Sequence, residues 1–529
     1  MTTSPDAGLD SSTFSPDDGV SPDAAVPNGA IDVPLSDGVT LRTWIYAPEG
    51  AGPFPFFVVR NPYAPLNDGA ELAAYARFFT DRGIGLVWQA VRGTGGSGGD
   101  FEPYLHEVAD ARDTLTWLGA QPYSNGRFAA GGGSYLGYTA WAAAAADPRV
   151  VAVISDDTAA DEEMTRHGGV LDGYLLSWWS LVERDRFADD GELTTITNAL
   201  DPTTLDEHVL GRDIPYWNQL LTAGLEVYPR DASLRTLARD LCVPALHVIE
   251  GETGWRDPVE TWEAIATDGC ARERDHQWLI VAPEGHAVHF SAFGLGDTWV
   301  TPDMLTMLEA FLLESAPIPT WPRVRYRPET SLSTRVATEW PPLDATPVTL
   351  HLAPPGPSGE GTLSTDASPP AHWTMVSDPA GTDPCAVPTA TWFTSTGLAA
   401  PLVVAGAPRL TLTGTADAPD FDVIVELYDY LPGPETYRGL GVGAVRARHR
   451  EGGADAPVLG RTIELTIDLT ASSRRVAAGH QLTISIAPSA CGHVENPNTG
   501  EPIDRQTSRR IARVDFDLFA SSLVVPTVP

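Results

Sequence analysis

The chain has 529 residues, too many for one hydrophobic core, so two or three domains are expected, and its 43% of hydrophobic residues is enough to build them. A formal net charge of -36 creates a field that repels nucleic acid, anionic membranes and polyphosphates. All 34 basic residues are arginine, which excludes Schiff-base lysine chemistry and any lysine-bearing phosphate loop. The four cysteines (Cys242, Cys270, Cys385, Cys491) are scattered, with no C-x-x-C pair and no His/Cys cluster at zinc spacing. Neither a metal site nor a disulfide framework is therefore expected, and a reducing compartment fits. The first thirty residues contain no basic n-region or apolar run, and no uncharged apolar stretch reaches the ~20 residues of a membrane helix. The expected location is cytoplasmic, with no cofactor.

Residues 1–28 repeat Ser-Pro-Asp three times, at Ser4, Ser15 and Ser21, and read as a disordered acidic tail. The first part of an ordered domain, 29–157, opens with two alternating runs about Asp37-Gly38, the signal of a β-hairpin. A buried strand over Phe56 to Val59 ends in a loop carrying Tyr63. A helix around Leu72 to Arg82 leads to a second buried strand, GIGLVWQAV. The Gly-rich loop from Arg92 to Gly99 invites a phosphate-loop reading that fails, because no GK[ST] follows and no helix starts there. A helix then spans about Glu107 to Ala120, with Val108, Ala111, Leu115 and Leu118 at helical spacing. Next come an apolar strand into Gly131-Gly132-Gly133, then Ser134, Tyr135 and Gly137, an alanine-rich helix, and the buried strand VVAVISDD. Strands alternating with helices predict a mostly parallel sheet covered on both faces.

Between 158 and 240 no strand-like run appears. Amphipathic helical segments carry a dense aromatic patch, Tyr174, Trp178 and Trp179, which reads either as a cap over a pocket or as helices packed elsewhere. The sheet resumes over 241–316 with PALHVIEG and QWLIVAP, each ending in a polar loop, where open α/β sheets gather their ligands. From 317 to 529 prolines cluster and short alternating runs follow one another, predicting an all-β domain of jelly-roll type.

Ser134 lies where glycines let a strand turn sharply into a helix, as a nucleophile elbow requires, although the closing glycine comes one residue later than in G-x-S-x-G. Acyl transfer from such a serine needs a base, an acid that orients the base, and donors for the oxyanion. His286, in VAPEGHAV, is the one histidine directly after a predicted sheet strand downstream of the elbow, with His289 its near rival. The loop GETGWRDP offers Glu252 and Asp257 as the acid.

These stretches together resemble the cocaine esterase and X-Pro dipeptidyl-peptidase group of α/β-hydrolases. The resemblance is carried by VPLSDGVTLRTWIYAPEG, NPYAP, QAVRGTGGSGGDF, the elbow GGGSYLGY, APEGHAV, and GAVRARHREG, AAGHQLTISIAPS and NPNTG in the second domain. The late glycine matches that group's G-x-S-Y-x-G. The resemblance implies an α/β-hydrolase sheet with a helical cap insertion plus a C-terminal jelly roll. It implies Ser134 as nucleophile, His286 as base, and the Tyr63 phenol with the Tyr135 backbone N–H as oxyanion donors. Gly254-Trp255-Arg256-Asp257 fits the group's Gly-Trp-x-Asp, which puts Asp257 ahead of Glu252. The expected substrate is a small ester, amide or short peptide, with Tyr174, Trp178, Trp179 and Asp157 as pocket residues and a homodimer kept open. Rival readings are an X-Pro dipeptidyl aminopeptidase or an α-amino-acid ester hydrolase or acyltransferase. Both need a carboxylate for a free amine, from Asp156, Asp157, Asp161, Glu162 or Glu163. A catalytically silent, carbohydrate-holding protein is the third rival.

Overall fold

The computed structural model describes residues 30–50, 52–63, 70–158, 166–222, 234–237, 241–250, 257–282, 300–329, 332–357, 359–379, 384–385, 389–433, 435–451, 456–502, 506 and 508–529. The tail predicted for 1–28 lies outside them. β1 (Ala30–Pro34) and β2 (Thr40–Tyr46) form the antiparallel hairpin expected at Asp37-Gly38. Gly38 closes it at φ 90°, a left-handed conformation that costs glycine no Cβ clash. Buried runs then give β3 (Phe54–Asn61), β4 (Gly85–Ala90), β5 (Ser124–Gly133) and β6 (Val150–Asp156). Between them lie α1 (Ala70–Thr80), α2 (Glu107–Gly119) and α3 (Tyr135–Ala146).

The cap segment contributes a hairpin of two-residue strands, β7 (Arg166–His167) and β8 (Val170–Leu171), which the sequence periodicity is too short to reveal. Helices α4 (Tyr174–Arg184), α5 (Asp190–Thr197), α6 (Leu205–Leu210), α7 (Pro215–Thr222) and α8 (Leu234–Leu237) follow. The chain re-enters the sheet as β9 (Ala245–Glu250), crosses α9 (Asp257–Asp268) to β10 (Gln277–Ala282), and passes α10 (Val300–Met307) to β11 (Val324–Tyr326) and β12 (Arg335–Ala337).

Among the described residues these strands make one sheet in the order β1-β2-β4-β3-β5-β6-β9-β10-β11-β12, parallel from β4 to β11. The last two strands come from beyond residue 317, so the first sheet borrows its edge from the stretch expected to start the all-β domain. From β3 the chain goes to β4 on one side and then to β5 on the other, so the sheet reverses direction between β3 and β5. Such a switch leaves a crevice at the carboxyl ends of the two strands. Tyr63 follows β3 and Ser134 follows β5, and the two strands are paired, Val58 opposite Ala130.

One face of the sheet packs on α2, α3 and the cap through Val108, Leu115, Tyr138, Trp141, Leu175 and Trp217. The other face packs on α1 and α10 through Leu72, Tyr75, Phe79 and Met304. Strands from Thr346–Ala353 to Ala512–Val528 build the C-terminal jelly roll around Leu352, Phe393, Leu412, Val425, Ile484 and Phe516. It meets the first domain through a shared core in which Ile249, Trp262 and Tyr326 pack with Val403, Ala405 and Val528.

The cysteine reading is corrected by the fold. Cys242 and Cys270, just ahead of the paired strands β9 and β10, are joined at 2.09 Å, and Cys385 and Cys491 are joined at 2.11 Å. Distance along the chain concealed both pairs, because pairing follows strand adjacency and domain packing rather than spacing. Among the described residues no His/Cys/Asp/Glu cluster could hold a metal ion, and no helix is long and apolar enough to cross a membrane.

His247 on β9 is buried, with its ring 5.0 Å from that of Trp141 and its Nε2 3.0 Å from Gln277 Oε1. Burial disfavours the imidazolium and pushes the imidazole down to about 4. The unfolded chain then takes up this proton first as pH falls. The contribution is complete above about 6.5 and is lost progressively between about 6.5 and 4, up to roughly 3 kcal/mol in all. Denaturant melts across that range should show His247→Gln losing less stability on acidification than wild type. Parallel pH profiles for the two proteins would contradict this.

Candidate active site

The turn from β5 into α3 places Ser134 at φ 56° and ψ -130°, a backbone region that is nearly glycine's alone. Its N–H donates to the Asp156 carbonyl at 2.8 Å, and its carbonyl accepts from Gly137 N–H at 2.9 Å. The glycines around it are there for room. A Cβ on Gly132 would lie 2.3 Å from Leu136 Cβ, and one on Gly137 would lie 1.8 Å from Thr158 Oγ1 and 3.0 Å from the Gly132 carbonyl oxygen. That close approach, which seats the first turn of α3 against β5 and the end of β6, accounts for a glycine at 137 instead of 136.

Beside it, Tyr63 is held from two sides. Asn61 clamps its main chain, accepting from Tyr63 N–H at 3.0 Å and donating to its carbonyl at 3.2 Å. Trp178 Nε1, from α4, donates to the phenol oxygen at 3.0 Å, with the two rings edge to face at 6.4 Å. The Ser134 side chain lies near enough to the phenol to act on its acidity. Burial pushes the phenol up, while Trp178 and Ser134 pull partly the other way. The hydroxyl therefore keeps its proton at neutral pH and can donate it.

Tyr135 opens α3, so its backbone N–H is one of those with no acceptor inside the helix. Its side chain anchors the turn from below. The hydroxyl donates to Glu107 Oε1 at 2.9 Å and accepts from Tyr104 N–H at 2.9 Å, and the ring stacks on Trp178 at 5.2 Å. Glu107 belongs to a buried ionic layer. Arg60 Nη1 is 2.7 Å from Glu107 Oε2, its Nε donates to Gln89 at 2.9 Å, and Arg92 grips Asp110 at 2.6 and 3.1 Å. Burial raises the Glu107 carboxyl and Arg60 opposes it.

The other predicted site residues divide. Asp157, at φ 43° and 0% exposed, follows β6 with its N–H on the Val248 carbonyl. Tyr174 N–H donates to Asp172 Oδ1 at 2.8 Å, and burial pushes its phenol up, with Tyr63, Asp172 and Asp157 adding to the push. Trp178 joins the site. Trp179 turns into the cap instead, fully buried, with Nε1 donating to Glu183 at 2.9 Å and its ring edge-on to Phe101. Asp257 is the first residue of α9, which places it after β9 in the sheet order. His286, its rival His289, Glu252, Asp161, Glu162 and Glu163 lie outside the described residues.

Residues 37–288 match the model of the X-Pro dipeptidyl-peptidase (S15) family, and residues 319–522 match the X-Pro dipeptidyl-peptidase C-terminal non-catalytic domain. Cocaine esterase of Rhodococcus sp. (strain MB1 Bresler) is 27% identical over 542 residues, covering 90% of this chain and 93% of that one. The chain belongs to the cocaine esterase and X-Pro dipeptidyl-peptidase family. Members of this family are α/β-hydrolases, and this one is a serine hydrolase of esters or peptides. Two solved structures share its fold at a TM-score of 0.77 and 20% identity. One is an aminopeptidase from a marine-sediment Thaumarchaeota archaeon, with 96% of each chain covered. The other is an α-amino acid ester hydrolase, with 98% of this chain and 100% of that one covered.

Three features of this family member escaped the sequence reading: the Asn61 clamp, the donation from Trp178 to Tyr63, and the ionic layer under the elbow. Glu107, Asp110 and Thr114 share one side of α2 and look like a solvated stripe. Only Arg60, next to last in β3, and Arg92, two residues past the neighbouring β4, hint that this stripe is inside.

The strained serine makes a testable statement. Glycine relieves a positive φ that costs other residues about 1–3 kcal/mol, less about 0.5–1 kcal/mol for its extra freedom when unfolded. Ser134→Gly should therefore be more stable in urea melts than Ser134→Ala, by about 1 kcal/mol. An alanine variant equal to or above the glycine variant would contradict the elbow conformation.

Proposed function

We propose that the chain cleaves a small acyl ester or amide through an acyl-enzyme on Ser134. Asp257 orients His286, with Glu252 as the alternative acid. Oxyanion donors come from the Tyr63 hydroxyl and the Tyr135 backbone N–H. The observation that carries this reading is the buried Tyr63 phenol, held by Trp178 Nε1 just past the strand next to the one that ends at a positive-φ serine. Ser134 Oγ adds to the substrate carbonyl carbon while its proton passes to His286. The carbonyl oxygen becomes an oxyanion and takes hydrogen bonds from Tyr63 and Tyr135. Collapse breaks the bond to the leaving alcohol or amine, which receives the proton from His286. Water, activated by the same histidine, then releases the acid and restores Ser134. No cofactor enters these steps.

Trp178 and Phe101, with ring centroids 5.7 Å apart, favour an apolar or aromatic acyl group. A second reading has one observation in its favour. Asp157, buried beside Tyr174 at the same crevice, could hold the free α-amine of an aminoacyl ester or an X-Pro peptide. The two disulfides favour an oxidising compartment over the expected cytoplasmic one. No observation speaks for a homodimer.

A serine-directed fluorophosphonate should label Ser134, and Ser134→Ala should abolish turnover of every ester. Labelling elsewhere, or an active alanine variant, would end the reading. Chromogenic acyl esters compared with Gly-Pro and Ala-Pro anilides separate the two substrate readings, and Asp157→Asn should impair turnover of amine-bearing substrates alone. Tyr63→Phe keeps the ring packing and removes the donor, so kcat should fall by about 10²- to 10³-fold with normal folding. Near-native kcat would move the second donor elsewhere.

A further inference from the structure

The C-terminal domain matches a model described as non-catalytic, yet one of its loops grips the helix that carries Trp178. Val494 N–H donates to the Leu171 carbonyl at 3.0 Å, and Gly173 N–H donates to the Gly492 carbonyl at 2.9 Å. His493 forms an isolated antiparallel bridge with Asp172, with its Nε2 3.9 Å from the Asp172 carboxylate. These three contacts hold the residues just before α4, whose first turn holds Tyr174 and whose next holds Trp178. The same loop reaches the end of α5. Glu495 N–H donates to the Thr197 carbonyl at 3.1 Å, and Gly492 N–H donates to Thr197 Oγ1 at 2.9 Å. The fit is close, since a Cβ on Gly173 would lie 2.3 Å from Ile196 Cγ2 and 2.5 Å from the Gly492 carbonyl oxygen. The gripping loop is itself tied down. Cys491 is bonded to Cys385, whose sulfur is 3.6 Å from Thr197 Oγ1, and Thr197 is 0% exposed.

We infer that the Cys491–Glu495 segment, fixed by the Cys385–Cys491 disulfide, is a positioning element for the oxyanion tyrosine. It holds the start of α4, α4 aims Trp178 Nε1, and Trp178 Nε1 aims the Tyr63 hydroxyl. The inference rests on the oxyanion role proposed for Tyr63. Main-chain hydrogen bonds suit this task because their direction does not depend on a side-chain rotamer, and an oxyanion donor displaced by a fraction of an ångström loses most of its effect. The site of a serine hydrolase is in this way completed by a domain that contributes no reacting group.

The test is a cycle of full-length variants on a p-nitrophenyl acyl ester. The double variant Cys385→Ser, Cys491→Ser and the milder Thr197→Val are each measured with Tyr63 intact and in the Tyr63→Phe background, beside thermal melts. With Tyr63 present, we expect kcat to fall about tenfold in the double variant and severalfold in Thr197→Val, with KM changed less than kcat. In the Tyr63→Phe background both changes should shift kcat by less than about twofold, because the group they position is gone. Equal losses in the two backgrounds would overturn the inference by showing general loosening, as would undiminished kcat with Tyr63 intact. If the double variant does not fold, the Thr197→Val cycle decides by the same criteria. Wild-type protein inactive on every ester would overturn the hydrolase reading and this inference together, and that failure is told apart by the wild-type control alone.

Discussion

A phenol stabilises an oxyanion only if it stays protonated and points to one place throughout turnover; burial favours the first for Tyr63, and the hydrogen bond from Trp178 Nε1 serves the second. Accepting from Trp178 occupies one lone pair of the phenol oxygen and leaves its proton for another acceptor. Burial holds that proton on. Tyr63 reaches this place from a loop after β3, clamped by Asn61, whereas Trp178 comes from the cap. The contact between the two forms only when cap and sheet are docked, and the jelly-roll loop is hydrogen-bonded to the residues just before α4.

Under the elbow, the cost of burying Arg60, Glu107, Asp110 and Arg92 is offset by pairing and by hydrogen bonds to Gln89, Tyr135 and main-chain groups. Within this network Glu107 accepts from the Tyr135 hydroxyl, which ties the first turn of α3 to α2. Neutral apolar packing would allow small slips at a turn that already carries backbone strain at Ser134.

Much of this was legible in the residues. Runs such as Phe56 to Val59 and VVAVISDD announce buried parallel strands, the hairpin at Asp37-Gly38 announces an edge, and the glycines about Ser134 announce the elbow. What stayed hidden depends on tertiary contact. The cysteine pairs join positions far apart in sequence, and the carboxylates of α2 look solvated until Arg60 and Arg92 meet them from the sheet. β11 and β12 follow a proline-rich stretch, yet they complete the first sheet because β10 leaves an apolar edge for Val324 and Tyr326 to cover. Trp178 and Trp179 are adjacent on one helix, so periodicity could not say which one turns to the crevice and which to the cap core.

The central claim is geometric: one oxygen of a tetrahedral adduct on Ser134 sits between the Tyr63 hydroxyl and the Tyr135 N–H. A crystal structure of the enzyme with an aryl boronic acid bound to Ser134 measures this directly. The account predicts a boron-bound oxygen about 2.7–3.1 Å from both Tyr63 Oη and Tyr135 N. An adduct whose oxygens avoid Tyr63, or a boronate attached to any other residue, would contradict it.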